Sequence, residues 1–363
     1  MISPDCSPVA VIDIGSNSIK NLIAQRRSAN ATTSTPEAVE ALFSRSIEAR
    51  ISSGADWVKG RSQLAHEAMT AALTAIEALL ADCSAYAPAQ VALVGTSALR
   101  DAANGAEFID LVRAKTGHSI RILSGAEEAE AIGRGLLCDP TLQSAKTQAR
   151  SLYAFDLGGG SLECLALRAG KLVTAQSLPL GSVRLMRRFV KNPEAPLPAD
   201  EREAIRSHVT EAFAHAGFAF GCAPPYADAP PTAIGTGGLW FNVRQMLAAE
   251  LCSPALADKA SAPVAANASS ALIAAEPTLA PPFLPRETIE QVLETAARLP
   301  LAERRRLPGI SPGRADILPT ALTTMLTVLD LGGFSGLQHS TYNLRYGIAA
   351  ELLAMGTGPR VLR

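Results

Sequence analysis

The sequence predicts an α/β protein of two lobes that repeat one design, and three observations lead there. Strand-like and helix-like stretches alternate along the chain, as they do where helices pack on a sheet. A glycine-bearing turn between two apolar strands occurs twice, in residues 11–24 (VIDIGSNSIKNLIA) and 152–165 (LYAFDLGGGSLECL). The length of 363 residues exceeds one ordinary domain and suits two, each able to bury its own core.

The second turn is the richer copy. Leu152, Tyr153, Ala154 and Phe155 form a short apolar run suited to a buried strand, and residues 162–167 resume one after the turn. Gly158, Gly159 and Gly160 lie between them. Without a Cβ, such residues take positive φ readily and bring backbone N–H groups close to an oxyanion. Asp156 enters the turn and Glu163 leaves it. Carboxylates repel bound phosphate, so the pairing makes sense with a hard cation such as Mg2+ (or Mn2+) between them. Taken alone, the stretch also reads as a glycine-rich hairpin with two incidental acids. The first copy argues otherwise, because Asp13, Gly15 and Ser18 match Asp156, Gly158 and Ser161 at one constant offset. Two matched turns point to internal duplication.

After the first hairpin come a polar turn at 32–36, further strand at 39–51, and a helix over 62–81 with Leu64, Ala68, Ala72, Ile76 and Leu80 on one face. Residues 91–94 form a strand leading into Gly95-Thr96-Ser97-Ala98-Leu99-Arg100, followed by a helix at 106–116 and a strand at Arg121-Ile122-Leu123. Ser124 and Glu127 then have capping-box spacing at the start of another helix. Residues 138–150 are a polar connector between lobes, which sets the domains at 1–138 and 139–343, with the helix at 344–355 assigned to the first. The second lobe adds 172–177, the run Leu180-Gly181-Ser182-Val183-Arg184, and a helix at 200–216 with Asp200 and Glu203 at capping-box spacing. A strand at 232–234 ends in a third glycine turn, Gly235-Thr236-Gly237-Gly238, before a helix at 239–247. Residues 252–285 are rich in alanine, proline and serine and read as a surface insertion. Helices at 287–298, 315–329 and 344–355 and a strand at 337–342 complete the chain.

Composition excludes several classes. Hydrophobic residues make up 48% and charged residues 18%, as in an ordinary soluble globular protein, so global disorder is not expected. The net charge of −1 provides no basic field for nucleic acid or an anionic membrane. No apolar run approaches a membrane span and the first residues do not resemble a signal peptide, so a cytoplasmic location is expected. Six scattered cysteines without a C-x-x-C pair disfavour zinc and a disulfide framework, and the five histidines show no metal-ligand spacing.

With these pieces in place, the sequence resembles the exopolyphosphatase and guanosine pentaphosphate phosphohydrolase family. The resemblance is carried, in order along nearly the whole chain, by DIGSNSIKNLI, GTSALRDAANGAEFI, IRILSGAEEAEAI, FDLGGGSLE, LPLGSVRL, AIGTGG, LPGISPGRADIL and NLRYGIAAEL. It implies the actin-like fold shared with sugar kinases and heat-shock chaperones: duplicated ribonuclease-H-like lobes with the ligand in the cleft between them. The chain looks like the short, two-domain form, and the resemblance implies that its terminal helix returns to the first lobe.

Hydrolysis of a phosphoanhydride needs gripped phosphates, neutralised charge and an activated water. Gly15, Ser16, Asn17 and Ser18, with Gly158, Gly159, Gly160 and Ser161, are the expected phosphate grips. Asp156 and Glu163, with Asp13 nearby, are the expected Mg2+ ligands. Glu127 fits a capping role and leaves Glu128, the second glutamate of the S-G-x-E-E-A motif, as the general base that the resemblance implies. Arg100 and Arg184 match phosphate-facing arginines of the family, and a surface salt bridge is the other reading of each. Arg187, Arg188 and Lys191, and the cluster Arg304, Arg305 and Arg306, read as solvated faces or as tracks for a polyphosphate chain. Gly235, Gly237 and Gly238 mark a nucleoside or substrate turn, but Leu239 stands where many relatives have threonine, which favours polyphosphate over a guanosine substrate. Lys20, where many relatives carry arginine, conserves charge. The expectation is release of terminal phosphate from inorganic polyphosphate. Guanosine pentaphosphate hydrolysis, a phosphotransferase of the same fold, and a non-catalytic sensor of alarmone or polyphosphate are the alternatives. Family members are often dimers, and the sequence leaves a homodimer open.

Overall fold

A computed structural model describes residues 7–27, 39–52, 56–58, 61–142, 151–221, 232–252 and 279–355. The chain divides at Leu142 and again at Tyr342, so the first unit also takes in the C-terminal helix.

In the first unit β1 (Val9–Ile14), β2 (Ile19–Arg26) and β3 (Val39–Ile47) form an antiparallel meander. A small ribbon, β4 (Asp56–Val58) with β5 (Arg61–Gln63), precedes α1 (His66–Ser84). The chain continues through β6 (Gln90–Gly95), α2 (Ser97–Arg100), α3 (Gly105–Thr116), β7 (Ile120–Ile122) and α4 (Gly125–Leu137). The sheet order is β3-β2-β1-β6-β7, with β1, β6 and β7 parallel. Its strands place Ile12, Ile14, Ile19 and Ile23 in a core with Ile76, Leu79 and Phe108 from the helices.

The second unit repeats this plan. β8 (Ser151–Leu157), β9 (Leu162–Arg168) and β10 (Lys171–Leu178) form the meander, followed by α5 (Ser182–Phe189), α6 (Ala199–Ala216), β11 (Thr232–Thr236) and α7 (Gly238–Cys252). Then come β12 (Phe283–Pro285), α8 (Arg286–Arg298), α9 (Leu301–Arg304), α10 (Leu318–Gly332) and β13 (Gly336–His339). The order β10-β9-β8-β11-β13 matches the first sheet strand for strand, and β12 adds an edge. The ends of matching strands are hooked alike: Leu123 N donates to Gly95 O at 2.9 Å, and Ser340 N to Gly235 O at 3.0 Å. The second core is rich in large rings, with Tyr153, Phe155, Phe213, Phe218 and Trp240 packed together.

The last helix, α11 (Leu344–Met355), lies on α4, β1 and β2. It meets α4 backbone to backbone, since a Cβ on Gly347 would strike the Ala131 carbonyl and one on Gly135 the Asn343 carbonyl. Glu351 adds ion pairs to Arg134 at 2.8 Å and Arg121 at 3.4 Å.

Several expectations change. α6 begins at Ala199 behind an extended Pro198 and has no side-chain cap, so Asp200 lies inside its first turn and the expected Asp200–Glu203 box does not form. A capping box needs its first member at the residue just before the helix, and Pro198 occupies that place. Arg304 does not face solvent with Arg305 and Arg306. It is 2% exposed and donates to the carbonyls of Pro193, Ala195, Ala315 and Asp316. The insertion expected at 252–285 has Phe283–Pro285 as a sheet strand, and its stretch 253–278 lies outside the described residues, as does the turn at 32–36. Cys83, Cys138 and Cys164 are buried thiols. Among the described residues, no helix is long and apolar enough to cross a membrane.

Candidate active site

Both glycine turns close with the same bond. Gly15 N donates to Ser18 O at 3.2 Å, and Gly158 N to Ser161 O at 3.0 Å. A Cβ would press on those acceptors, coming 3.1 Å from Ser18 O and 3.3 Å from Ser161 O. The glycines of the second turn were expected to supply positive φ. Gly158, Gly159 and Gly160 are not among the left-handed glycines, and closeness is what they provide. Gly181, at the entry to α5, packs directly on the backbone of Gly159 and Gly160.

That packing orients the turn. Gly158 O accepts from Ser182 N at 2.9 Å, Gly159 O accepts from Val183 N and Arg184 N at 3.0 Å, and Gly160 O accepts from Arg184 Nε at 2.8 Å. In a trans peptide the N–H points opposite to the C=O. With three successive carbonyls turned toward α5, the N–H groups of Gly159, Gly160 and Ser161 turn to the other side, where such donors suit an anion. Arg184 thus buttresses the turn through its carbonyl.

The first turn is held in the same way by a different segment. Arg50 N donates to Asn17 O at 2.8 Å and Ser52 N to Ser16 O at 3.3 Å. Arg50 adopts φ +44°, a left-handed conformation uncommon for a non-glycine residue. Ser16, Asn17 and Ser18 are all buried, and among the described residues the Asn17 Nδ2 donor has no hydrogen-bond partner. No local pattern singled out Arg50 or Ser52, because their role is set by backbone contacts across the fold.

Glu127 and Glu128 separate as their spacing predicts. Glu127 completes the capping box: its Oε2 accepts from Ser124 N at 2.8 Å and Ser124 Oγ accepts from Glu127 N at 3.2 Å. These bonds, with Arg121 nearby, hold its carboxyl below the usual range. Glu128 is 7% exposed and pairs with Arg100, whose Nη1 lies 3.1 Å from Glu128 Oε2 and 2.6 Å from Leu123 O. Arg100 therefore grips the candidate base and the backbone beneath it.

In the second unit, Asp156 and Glu163 are direct cross-strand partners on β8 and β9. Like charges in that arrangement destabilise a sheet, and a hard cation offsets the repulsion. Glu163, 2% exposed, accepts from Ser177 Oγ at 2.7 Å. In the first unit, the same register puts Asp13 opposite Lys20, a pair of opposite charge. Asp156 and Glu163 are thus opposed carboxylates that could hold a metal, while Asp13, the third expected ligand, has a lysine across from it in the first sheet. Among the described residues no three His, Cys, Asp or Glu side chains converge as a metal cluster. Mg2+ needs no such cluster, since it takes one or two carboxylates and keeps several waters.

The third turn contributes as well. Gly237 has φ +90°, and Asp156 Oδ1 would lie 2.5 Å from a Cβ there. The guanidinium of Arg314 lies 2.6 to 2.8 Å from the corresponding point at Gly238. Gly235 is covered by the Trp240 ring. Arg314 was missed in the sequence because no chemistry marks it within LPGISPGRADIL; its signal is its place against a glycine distant in the chain.

Comparison with known proteins bears on the family and the fold. Residues 32–223 match the model of the Ppx/GppA phosphatase family. Exopolyphosphatase 1 of Mycobacterium tuberculosis and that of Mycobacterium bovis are each 30% identical over 197 residues, 54% of this chain. That match spans about half, 52%, of the length of these relatives. Among solved structures, an exopolyphosphatase from Cytophaga hutchinsonii superposes with a TM-score of 0.74 at 22% identity, covering 97% of this chain and 99% of the other. The Aquifex aeolicus PPX-GPPA enzyme gives 0.67 at 20% identity, covering 95% and 99%. The chain belongs to the Ppx/GppA phosphatase family and has its actin-like two-domain α/β fold.

Proposed function

We propose that the protein is a Mg2+-dependent phosphohydrolase that releases terminal phosphate from inorganic polyphosphate. The observation that carries this reading is the orientation of the Gly158–Ser161 turn, whose carbonyls are bound on one side so that its amides face the other, next to two opposed carboxylates. Such a turn receives phosphate oxygens. Asp156 and Glu163 fit a cation, which supplies neutralisation of the charge on the phosphoryl oxygens. In the first unit, Ser16, Asn17 and Ser18 offer hydroxyl and amide donors, with the buried Asn17 Nδ2 still to be satisfied. Glu128, steered by Arg100, takes the proton from the attacking water. Curated relatives named exopolyphosphatase support the substrate class.

Hydrolysis of guanosine pentaphosphate is the second reading, supported by the family to which the chain belongs. The absence of a hydroxyl at Leu239, whose side chain is buried in the core, and the guanidinium of Arg314 against Gly238 favour polyphosphate as the reading. The deciding experiment measures phosphate release from long-chain polyphosphate, guanosine pentaphosphate and ATP, each with Mg2+ and with a chelator. Polyphosphate is expected to be hydrolysed fastest, and only with the metal. Faster release from pentaphosphate would replace the first reading with the second. Binding of either substrate without turnover in Mg2+ would reduce the protein to a sensor.

A further inference from the structure

A row of polar residues runs across four strands of the second sheet. The register aligns Thr236 on β11 with Asp156 on β8, Asp156 with Glu163 on β9, and Glu163 with Ser177 on β10. Direct partners on neighbouring strands present their side chains to the same face. The two acids are therefore flanked by a hydroxyl on each side. In the first sheet, the same level reads Val94, Asp13, Lys20 and Ser46. There the acid faces a lysine and an apolar valine, and no second hydroxyl borders it.

The two hydroxyls have different settings. Ser177 Oγ donates to Glu163 Oε1 at 2.7 Å, which fixes the rotamer of a carboxylate that is 2% exposed. Thr236 is fully buried, and among the described residues its Oγ1 has no hydrogen-bond partner. A buried hydroxyl left unpaired is costly, and valine would fill the same space without that cost. Asp156 Oδ1 lies against Gly237, the residue after Thr236, so the acid and the unpaired hydroxyl occupy the same end of β11.

We propose that Ser177 and Thr236 are positioning residues of the divalent-cation site, an inference that rests on the metal reading of Asp156 and Glu163. Ser177 sets the orientation in which Glu163 meets the ion. Thr236 would bond water held by the ion, a partner its hydroxyl lacks among the described residues. Mg2+ and Mn2+ suit this arrangement because they retain waters that outer hydroxyls can order. The plain alternative is that Ser177 ties β10 to β9 and that the threonine hydroxyl is incidental.

The test is Mn2+ titration of the full chain, without substrate, read by the electron paramagnetic resonance signal of unbound Mn2+. Ser177→Ala and Thr236→Val are each expected to weaken Mn2+ binding about ten-fold, the usual effect of removing an outer-shell partner, while Ser177→Thr restores most of it. Thr236→Val should also unfold at the same or a higher temperature than the wild type in chelator, yet gain less on adding Mn2+. If both variants bind Mn2+ as the wild type does while Glu163→Gln loses it, the inference is wrong and the metal reading stands. If the wild type and Glu163→Gln bind Mn2+ equally, or neither binds it, the metal reading falls and the inference with it.

Discussion

Glu128 owes its freedom from capping to its neighbour. The Ser124–Glu127 box consumes the first carboxylate at the start of α4, and the next residue of the helix turns into the structure toward Arg100. Replacing Glu128 with glutamine keeps shape and polarity but removes the ability to accept a proton. Phosphate release by Glu128→Gln is expected to fall about 10²- to 10⁴-fold while polyphosphate binding changes less than about 3-fold. Steady-state turnover together with calorimetric binding checks this, and undiminished turnover would remove Glu128 from the base role. His339 carries a second prediction. It is 5% exposed, its Nδ1 lies 3.2 Å from Arg244 Nη1, and burial followed by the nearby guanidinium pushes its pKa from 6.5 down to about 3. The folded state therefore holds the ring neutral where the unfolded chain would protonate it. Between these two values the unfolded state binds more protons, so stability rises with pH and the contribution is complete above about 6.5. Below that point the loss approaches about 1.4 kcal/mol per pH unit. Urea unfolding of the wild type and His339→Gln at about pH 7, 6 and 5 should show the wild type losing ground to the variant as pH falls. A constant difference would show that His339 is not the group that titrates.

At the scale of elements, Arg304 ends the short helix α9 and ties together segments far apart in the chain. Its guanidinium reaches Pro193 and Ala195 before α6, and Ala315 and Asp316 before α10. Arg304→Met keeps much of the stem but leaves those buried carbonyls without their donor, and a loss of about 3 kcal/mol is expected. Denaturant unfolding measures it, and a loss below about 0.5 kcal/mol, typical of a surface change, would contradict the tether. This residue also shows which signals a sequence can carry. The Ser124–Glu127 box was readable because both partners lie within one turn of helix. Arg304 was not, since its charge in a run of three arginines resembles a solvated face and two of its acceptors lie more than a hundred residues away. The Asp200–Glu203 spacing was present but idle, because the helix begins at Ala199 and Asp200 already lies inside its first turn. β12 escaped notice for a related reason: three residues carry no periodicity, and pairing with β13 alone makes them a strand. The glycine turns were legible as turns and as a repeated pair. What their glycines do, admitting α5 and the closing carbonyls at short range, depends on neighbours that no window of sequence contains.

For the whole molecule, duplication supplies two copies of one turn and divergence sets different charges beside them. The sheets agree in strand order, turn closure and the hooks at Gly95 and Gly235, yet Asp13 faces Lys20 where Asp156 faces Glu163. In sequence, Lys20 read as a conservative change of one cation for another. Register gives it a further meaning, because Asp13 stands opposite a residue of opposite charge, whereas the two like charges of the second copy are what the proposed metal would offset. The cation requirement should therefore reside in the second unit alone. Asp156→Asn is expected to weaken Mn2+ binding at least about ten-fold, whereas Asp13→Asn should change it less than about two-fold, since removing one of two opposed acids forfeits a ligand and removing an acid paired with lysine does not. Equal losses in the two variants would mean that Asp13 shares the ion, and that the lysine opposite it has not relieved that copy of the metal.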